Sequence, residues 1–398
     1  MTTSRDFIKT LKKVLMHEDE EVCVLSFDER YNLVDIDSII NPNIMPLGYH
    51  SKDDGSDNIS FIKSWWKNNE IPTERDSVRL GLECLGIDSV EELHLLGRGL
   101  SLGNHFWLKD EDEDISWSDV NFWENPFSDD VGEALFNHKK RNSDMIPYSP
   151  DVSLNGLLKK RWIYRRDGYY LEKGGSGILK QEVYNEWLIS RIFELSGIPA
   201  IHYDIVETEG VRSVCPAFTS EKKEFIPYSQ IFESIPRIAY PGESELEYFY
   251  RTLDHYEVDY SREQINTMLA VDYITVNTDR HYNNIGILLD SDGSKRLAPI
   301  FDNGTSLWCL SSTDDIDVDD DIIMARPFCD KTTIGYWSRQ IKLITHMPNI
   351  DRNRLIALLE SFKELASMNS DFSEKRVSII AKGILHRYDK LSEIIKKV

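Results

Sequence analysis

The polar run Asn277-Thr278-Asp279-Arg280-His281-Tyr282-Asn283-Asn284 lies between a helical apolar pattern that ends near Val276 and a strand-like apolar segment over 285–289. A short connection between packed elements presents its side chains at the end of a rigid scaffold. In phosphoryl transfer of the kinase type, an Asp orients an acceptor hydroxyl and takes its proton, and an Asn in the spacing Asp-x-x-x-x-Asn holds magnesium. Asp279 and Asn284 have that spacing. A second metal-binding acid belongs beyond a hairpin, because cations held between the β- and γ-phosphates need more than one hard oxygen ligand. Asp302-Asn303-Gly304, directly after the apolar segment 297–301, stands in that place. Each pattern alone is common, and Asp-Asn-Gly is an ordinary turn; their order and their strand setting make the signal. His281 reads as a structural hydrogen-bonding residue beside the loop rather than as a base or metal ligand.

Such chemistry also needs a cation for the phosphates and an acid to position it, supplied in kinases by a strand lysine and the helix that follows. Lys173 ends a strand-like segment, and Glu182 and Glu186 lie on the next helical pattern. Four residues apart, the two glutamates share a helical face, so spacing alone does not choose between them.

The elements that must position these residues are legible from about residue 150 onward. Residues 162–165 and 169–173 flank Arg166-Asp167-Gly168, a hairpin cue. After Gly174-Gly175-Ser176-Gly177, Val183, Trp187, Leu188, Ile192 and Leu195 form one helical face that ends at Gly197, with Pro199 beyond. Residues 201–207 and 212–217 predict two strands around Glu209-Gly210. Ile265, Met268, Leu269, Tyr273 and Val276 predict a helix, and 285–289 with 297–301 a hairpin across Asp290-Ser291-Asp292-Gly293. Helical stripes run through Leu355, Leu358, Leu359 and Phe362, and through Val377, Ile380, Ile384, Tyr388, Leu391 and Ile395; these are core faces. The first ~150 residues, with segments 61–67 and 76–85 and acidic links such as 110–114, read as a largely helical accessory region. Gly97, Gly99 and Gly103 imitate a nucleotide loop, but their spacing is G-x-G-x-x-x-G and no strand pattern precedes them.

The 398-residue length implies more than one structural unit. The excess of 68 acidic over 46 basic residues, a formal net charge of -22, argues against direct nucleic-acid binding, which rests on neutralising phosphates. Cys23, Cys84, Cys215, Cys309 and Cys329 are scattered and never in a C-x-x-C pair, which suits a reducing cytoplasm rather than disulfides or structural zinc. Residues 1–16 lack the apolar core of a signal peptide, and no stretch reaches the ~20 apolar residues of a membrane span. A soluble cytoplasmic protein without membrane contact is expected.

The run from Asp279-Arg280-His281 to Asn284, followed by Ala298-Pro299-Ile300-Phe301-Asp302-Asn303-Gly304, resembles the C-terminal catalytic segment of HipA-like serine/threonine kinases. The fold of that family is related to protein and phosphatidylinositol kinases. Upstream, Ser153-Leu154-Asn155-Gly156-Leu157-Leu158-Lys159-Lys160 resembles the family's phosphate loop, and Tyr170-Leu171-Glu172-Lys173 its ATP-lysine strand. Asn185-Glu186 resembles the helix motif that supplies the pairing acid, which favours Glu186 over Glu182. Cys215-Pro216-Ala217-Phe218 sits where the family has its hinge, which puts Phe218 beside adenine. The resemblance is specific over residues 150 to 310 and looser up to about 390. Residues 1 to about 145 do not match the N-terminal domain of the best-known members, and resemble the extension of some HipA-like proteins from Gram-positive bacteria.

The resemblance implies an α+β, bilobal protein kinase-like fold with a mainly helical N-terminal extension (1–145), a β-rich nucleotide-binding N-lobe (146–228) and a helical catalytic C-lobe (229–398). It implies ATP and Mg²⁺ as cofactors, with Lys173, Glu186, Ser153, Gly156, Lys160 and Phe218 binding ATP, Asn284 and Asp302 holding Mg²⁺, and Asp279 orienting the hydroxyl. The acceptor it implies is a Ser or Thr of a protein; a lipid or small-molecule acceptor, and a nucleotide-binding scaffold without activity, are the alternatives. In the family the phosphate-loop serine can itself be phosphorylated, which makes Ser153 a regulatory candidate, and a toxin role with an antitoxin-like partner is implied in the same way. The acidic run Asp314-Asp315-Ile316-Asp317-Val318-Asp319-Asp320-Asp321 reads as a solvated loop placed where basic substrate segments would be selected by charge. It lacks the glycine and late glutamate of an EF-hand.

Overall fold

The computed structural model describes residues 10–52, 55–140, 147–237, 242–328 and 335–397. Cys329 and the first nine residues of the stretch read for a targeting signal lie outside them. The chain divides into two compact units, Met1–Leu171 with Thr219–Ile226, and Glu172–Phe218 with Pro227–Val398.

The first unit opens with strands β1 (Leu11–His17), β2 (Glu20–Phe27) and β3 (Leu33–Ile39), followed by helices α1 (Ile59–Asn68), α2 (Val78–Leu85) and α3 (Val90–Leu96). Strand β4 (Phe106–Lys109), helices α4 (Trp117–Val120) and α5 (Asp130–Asn137), and strand β5 (Lys160–Arg165) come next, and the division between the units falls within β6 (Gly168–Gly174). Strands β1 to β4 form an antiparallel sheet in the order β3-β2-β1-β4. On one face Leu15, Cys23 and Leu25 pack with Trp65 and Trp66 of α1. On the other, Val14 and Met16 pack with Trp107, Trp117 and Phe122.

The helices α1 and α2 fall on the segments expected to be helical, but this sheet is not foreseen by the sequence. The reason is physical: a sheet covered on both faces leaves Val14-Leu15-Met16 as a continuous buried run with no alternation. The β1–β2 turn, moreover, places Glu18 at φ 51° where a glycine would have announced it. Gly99, part of the imitation nucleotide loop, is a packing glycine: its φ is +64°, and a Cβ there would lie 2.7 Å from the Trp66 ring.

Past β6 the chain runs through α6 (Gln181–Ser196), β7 (Asp204–Thr208), β8 (Gly210–Pro216), β9 (Lys223–Pro227), α7 (Tyr228–Ile231), α8 (Glu245–His255) and α9 (Arg262–Thr275). It continues with β10 (Gly286–Asp290), β11 (Lys295–Leu297), α10 (Trp337–Gln340), α11 (Arg352–Ser367) and α12 (Glu374–Ile395). In the second unit β7 and β8 form the expected hairpin, with Thr208 opposite Gly210. Helix α6 stops where Gly197, at φ 77°, turns its N–H back to the carbonyls of Phe193 and Glu194. Helix α9 is the central element: every residue from Gln264 to Thr275 is buried, and it packs against α6 and α12 while α11 packs against both of those.

One expected strand is shorter than its apolar pattern. The ladder between β10 and β11 covers only Ile287–Leu289 against Lys295–Leu297. Beyond it, Pro299 has no N–H to offer, and Ile300 instead exchanges backbone hydrogen bonds of 2.8 and 2.9 Å with Ile201 and Pro199. The departure steers Asp302 toward the residues that follow α6.

Helix α12 contains Gly383, where a Cβ would lie 2.5 Å from the Trp308 ring. A mid-helix Gly→Ala change ordinarily stabilises by ~1 kcal/mol. Here the sign should reverse: Gly383→Ala is expected to destabilise by ~1–3 kcal/mol, as overpacking against a rigid indole does, read as a lower urea midpoint with an unchanged slope.

Candidate active site

Lys173, the penultimate residue of β6, is 4% exposed, and its Nζ lies 2.8 Å from Glu186 Oε1 and 2.7 Å from Asp302 Oδ1. Burial alone would lower its pKa, but the charges of Asp302 and Glu186 outweigh that and hold it well above the ordinary lysine value. Lys173 is therefore an ammonium between two acids. The other oxygen of Glu186 accepts the Asn303 N–H at 2.9 Å, and its neighbour Asn185 donates to the carbonyls of Gly304 and Ser306, both at 2.7 Å. Two consecutive side chains of α6 thus grip the Asp302-Asn303-Gly304 turn. Glu182, left open beside Glu186 by spacing, instead accepts hydrogen bonds from the N–H and Oγ of Ser176.

Asp302 occupies the left-handed region at φ 57°. For a non-glycine residue that conformation costs ~1–2 kcal/mol and persists only where its surroundings over-determine it. Its N–H donates to the Tyr203 hydroxyl at 3.2 Å, and the buried Tyr203 ring lies 5.2 Å from Lys173 Nζ. Phe218, which follows β8, packs its ring on Phe301 with centroids 5.2 Å apart.

The Asp279 loop begins where Val276, at φ 52°, turns the chain out of α9. Asn277 donates to Asp272 at 3.0 Å and accepts the Asp279 N–H at 3.0 Å. The Asp279 carbonyl in turn accepts from Asn284 Nδ2 at 3.0 Å and from the His281 N–H at 2.8 Å. His281 caps the following turn by accepting the Asn283 N–H. The Asp279 carboxyl is 42% exposed. Partial burial, reinforced by the charge of Asp302 and opposed by His281, Arg326 and Arg280, raises its pKa above the ordinary aspartate value.

Arg280 holds this loop and the Asp302 turn in one frame. Its fully buried guanidinium meets Asp272 of α9 with two hydrogen bonds of 3.0 Å. It also donates to the Phe301 carbonyl at 2.6 Å and to Asn303 Oδ1. Sequence reasoning assigned no role to Asp272, Arg280 as a brace, Asn303 or Tyr203. A signal was present for the first: Asp272 is a lone acid inside the apolar run 268–276, and a buried charge must find a partner.

Ser153, Gly156 and Lys160 belong to the first unit. Ser153 Oγ lies 3.2 Å from Nδ1 of His94, a buried imidazole whose pKa burial lowers to about 3. Gly156, at φ 101°, lies against the Lys160 ammonium, and its carbonyl accepts from Arg75 at 2.9 Å. The acidic run, expected to be a solvated loop, keeps Asp314 and Asp319 exposed and pairs along α12: Asp314 with Lys375, Asp319 with His386 at 2.6 Å, and Asp321 with Lys390 at 2.7 Å. Those partners lie far downstream, where local patterning does not reveal them.

The antiparallel sheets and the helical second unit make this an α+β protein of the protein kinase-like class. Residues 152–343 match the family model of the HipA-like C-terminal domain. Among solved structures, the chain is similar to one from the Shewanella oneidensis MR-1 toxin–antitoxin system HipA, HipB and its operator DNA complex. The identity is 14% and the TM-score 0.51, over 97% of this chain and 99% of that one. It is also similar to the Helicobacter pylori proinflammatory kinase CtkA, with 16% identity and a TM-score of 0.46, over 60% of this chain and 94% of that one. No curated protein sequence matches the chain. The segment 152–343 that matches the HipA-like C-terminal domain contains Lys173, Glu186, Asp279, Asn284 and Asp302.

Removing Asp272 would leave the Arg280 guanidinium buried and unpaired. Asp272→Ala should cost ~3–5 kcal/mol, the magnitude typical of breaking a buried ion pair, measured as a fall in folding free energy by urea titration.

Proposed function

We propose that the protein is an ATP- and Mg²⁺-dependent kinase that transfers the γ-phosphoryl group to a serine or threonine hydroxyl of a protein. The observation that carries this reading is the Lys173 ammonium held between Glu186 and Asp302. A lysine fixed by a helix glutamate beside a metal-binding aspartate is the arrangement phosphoryl transfer requires. We assign nucleotide binding to residues 146–228, catalysis to 229–398, and an accessory role to 1–145.

The residues fit Mg²⁺. The carboxylate of Asp302 and the carboxamide oxygen of Asn284, whose nitrogen is engaged by the Asp279 carbonyl, are hard oxygen donors of the kind Mg²⁺ takes. Bound there, Mg²⁺ supplies charge neutralisation across the β- and γ-phosphates. The chain's own residues do the remainder. Lys173 binds the phosphates, Glu186 keeps its ammonium in place, and Phe218 on Phe301 offers an aromatic surface to adenine. Ser153, Gly156 and Lys160 form the phosphate loop in this reading. Asp279, held by its backbone through Asn277 and Asn284, orients the acceptor hydroxyl and takes its proton; a raised pKa makes it a stronger base once ionised.

The acceptor we assign is a protein side chain, with Ser153 itself a candidate for autophosphorylation after it leaves His94. A toxin role and an antitoxin-like protein partner are extended to this chain from the assembly named for the Shewanella structure, which contains HipB and operator DNA. With a net charge of -22, we assign any DNA contact to such a partner rather than to this chain. No helix among the described residues is long and apolar enough to cross a membrane, and we place the activity in the cytoplasm.

The test is incubation with Mg²⁺ and γ-labelled ATP, followed by mass spectrometry of the protein. Phosphate on Ser153 or another hydroxyl is expected in the wild type. Asp279→Ala should lose ~10²–10⁴-fold in transfer rate while retaining ATP binding, and Asp302→Ala should weaken metal-nucleotide binding as well. Equal labelling in both variants would remove the site assignment, and tight ATP binding without protein labelling would move the acceptor to a lipid or small molecule.

A further inference from the structure

A second cluster of titratable groups lies in the first unit and takes no part in the chemistry just described. His17 closes β1, and His105 immediately precedes β4, the antiparallel neighbour of β1, in which Phe106 pairs with His17. The third member, Glu224, lies in β9 on the segment Thr219–Ile226. That segment is tied to the same unit by the Phe225 N–H on the Gly103 carbonyl at 2.8 Å and the Thr219 hydroxyl on the Leu102 carbonyl at 2.5 Å. One ligand atom from each of His17, His105 and Glu224 lies within 4.8 Å of the other two.

The details of the cluster favour a cation at its centre. Glu224 Oε1 is 2.8 Å from His17 Nε2 and 3.7 Å from His105 Nδ1, which bracket the ~3.3 Å separation of neighbouring ligands in a tetrahedral site with bonds of about 2.0–2.1 Å. Glu18 Oε1 lies 2.9 Å from His105 Nδ1 at the exposed margin of the cluster. The other nitrogen of His105, Nε2, is 3.1 Å from the Ser220 carbonyl, a group that only accepts, so Nε2 carries the proton. In a neutral imidazole this leaves the Nδ1 lone pair facing two carboxylates. A histidine whose far N–H is held by a backbone carbonyl is how proteins orient a metal ligand.

The cluster is also enclosed. His105 is 2% and Glu224 5% exposed, and the second oxygen of Glu224 accepts the His105 N–H at 2.9 Å. Trp117 and Trp123 pack against the His105 ring with centroids 5.5 and 5.2 Å away, and Phe106 against His17 at 4.6 Å. Nitrogen ligands select a first-row transition ion over Mg²⁺ or Ca²⁺, and a His₂Glu set is one that Zn²⁺ takes.

We propose that His17, His105 and Glu224 form a site for a first-row divalent transition metal ion, of the Zn²⁺ type, that fastens the Thr219–Ile226 segment to the β1–β4 sheet edge. The site is independent of the phosphoryl-transfer reading. It uses protein ligands from three separate parts of the chain, so its binding energy contributes to the stability of the folded unit.

The full chain, stripped of metal with chelator, is titrated with Zn²⁺ by calorimetry and with Co²⁺ by visible absorption, beside His17→Ala, Glu224→Gln and Asp302→Ala. One Zn²⁺ per chain, a rise in Tm on Zn²⁺ addition and four-coordinate Co²⁺ bands are expected for the wild type and for Asp302→Ala. His17→Ala, altering the most exposed of the three mutually close ligands, should keep the metal-free Tm near that of the wild type and lose at least ~10-fold in Zn²⁺ affinity. Glu224→Gln should lose the Co²⁺ bands. Wild-type affinity retained in His17→Ala, loss of the Zn²⁺ equivalent in Asp302→Ala alone, or no uptake by the wild type would each overturn the proposal; the last would make the cluster a proton-mediated His–Glu pairing.

Discussion

The second unit depends on one buried ion pair. Asp272 lies on a helix with no exposed residue from Gln264 to Thr275, and Arg280 reaches back to it from the loop that follows. A guanidinium removed from water is tolerable only if its donors are satisfied. Here the donors not used on Asp272 go to the Phe301 carbonyl and Asn303, on either side of Asp302, and more distantly to the Asn284 carbonyl. Satisfying one buried cation therefore aligns two loops that are far apart in sequence. Without that requirement nothing in the local sequence would force Asp279 and Asp302 to face one another's charge.

Helix α6 completes the frame from the other side. Glu186 links the Lys173 ammonium to the Asn303 amide, while Asn185 anchors the carbonyls of Gly304 and Ser306. Tyr203 supplies a ring beside Lys173 and an acceptor for the Asp302 amide. The turn that carries Asp302 is thus held through backbone groups on both sides, and this over-determination permits its left-handed conformation. The Asp302 carboxylate meets the Lys173 ammonium, while the chain that bears it is held by backbone hydrogen bonds.

Much of this was legible in the sequence because the site residues stand at element ends. Lys173 lies one residue before the end of a strand, Glu186 little more than one turn into a helix, and Asp279, Asn284 and Asp302 follow abrupt changes of pattern. The braces were not legible for the opposite reason. Asp272 sits inside an apolar run and Tyr203 near the start of a strand-like segment, and their polar atoms acquire meaning only from partners supplied by distant segments. The β1–β4 sheet escaped for a related cause, since burial on both faces erases the alternation by which a strand is recognised. The departure of Ile300 from its hairpin was foreshadowed by Pro299, a residue that cannot donate to a ladder, although its new partner, Ile201, was not.

The acidic segment along α12 is secured in a different manner from the two loops. Its pairs with Lys375, His386 and Lys390 lie at the surface, with Asp314 and Asp319 well exposed, whereas the Arg280 contacts are sealed from solvent. Dissolved ions weaken exposed pairs and scarcely reach enclosed ones, because screening operates over a Debye length of ~8 Å at physiological ionic strength and only through water. Changing ionic strength should therefore loosen the segment after Asp302 while leaving the Asp279 and Asp302 loops in register. The molecule has two sets of electrostatic fastenings, one that responds to the medium and one that ignores it.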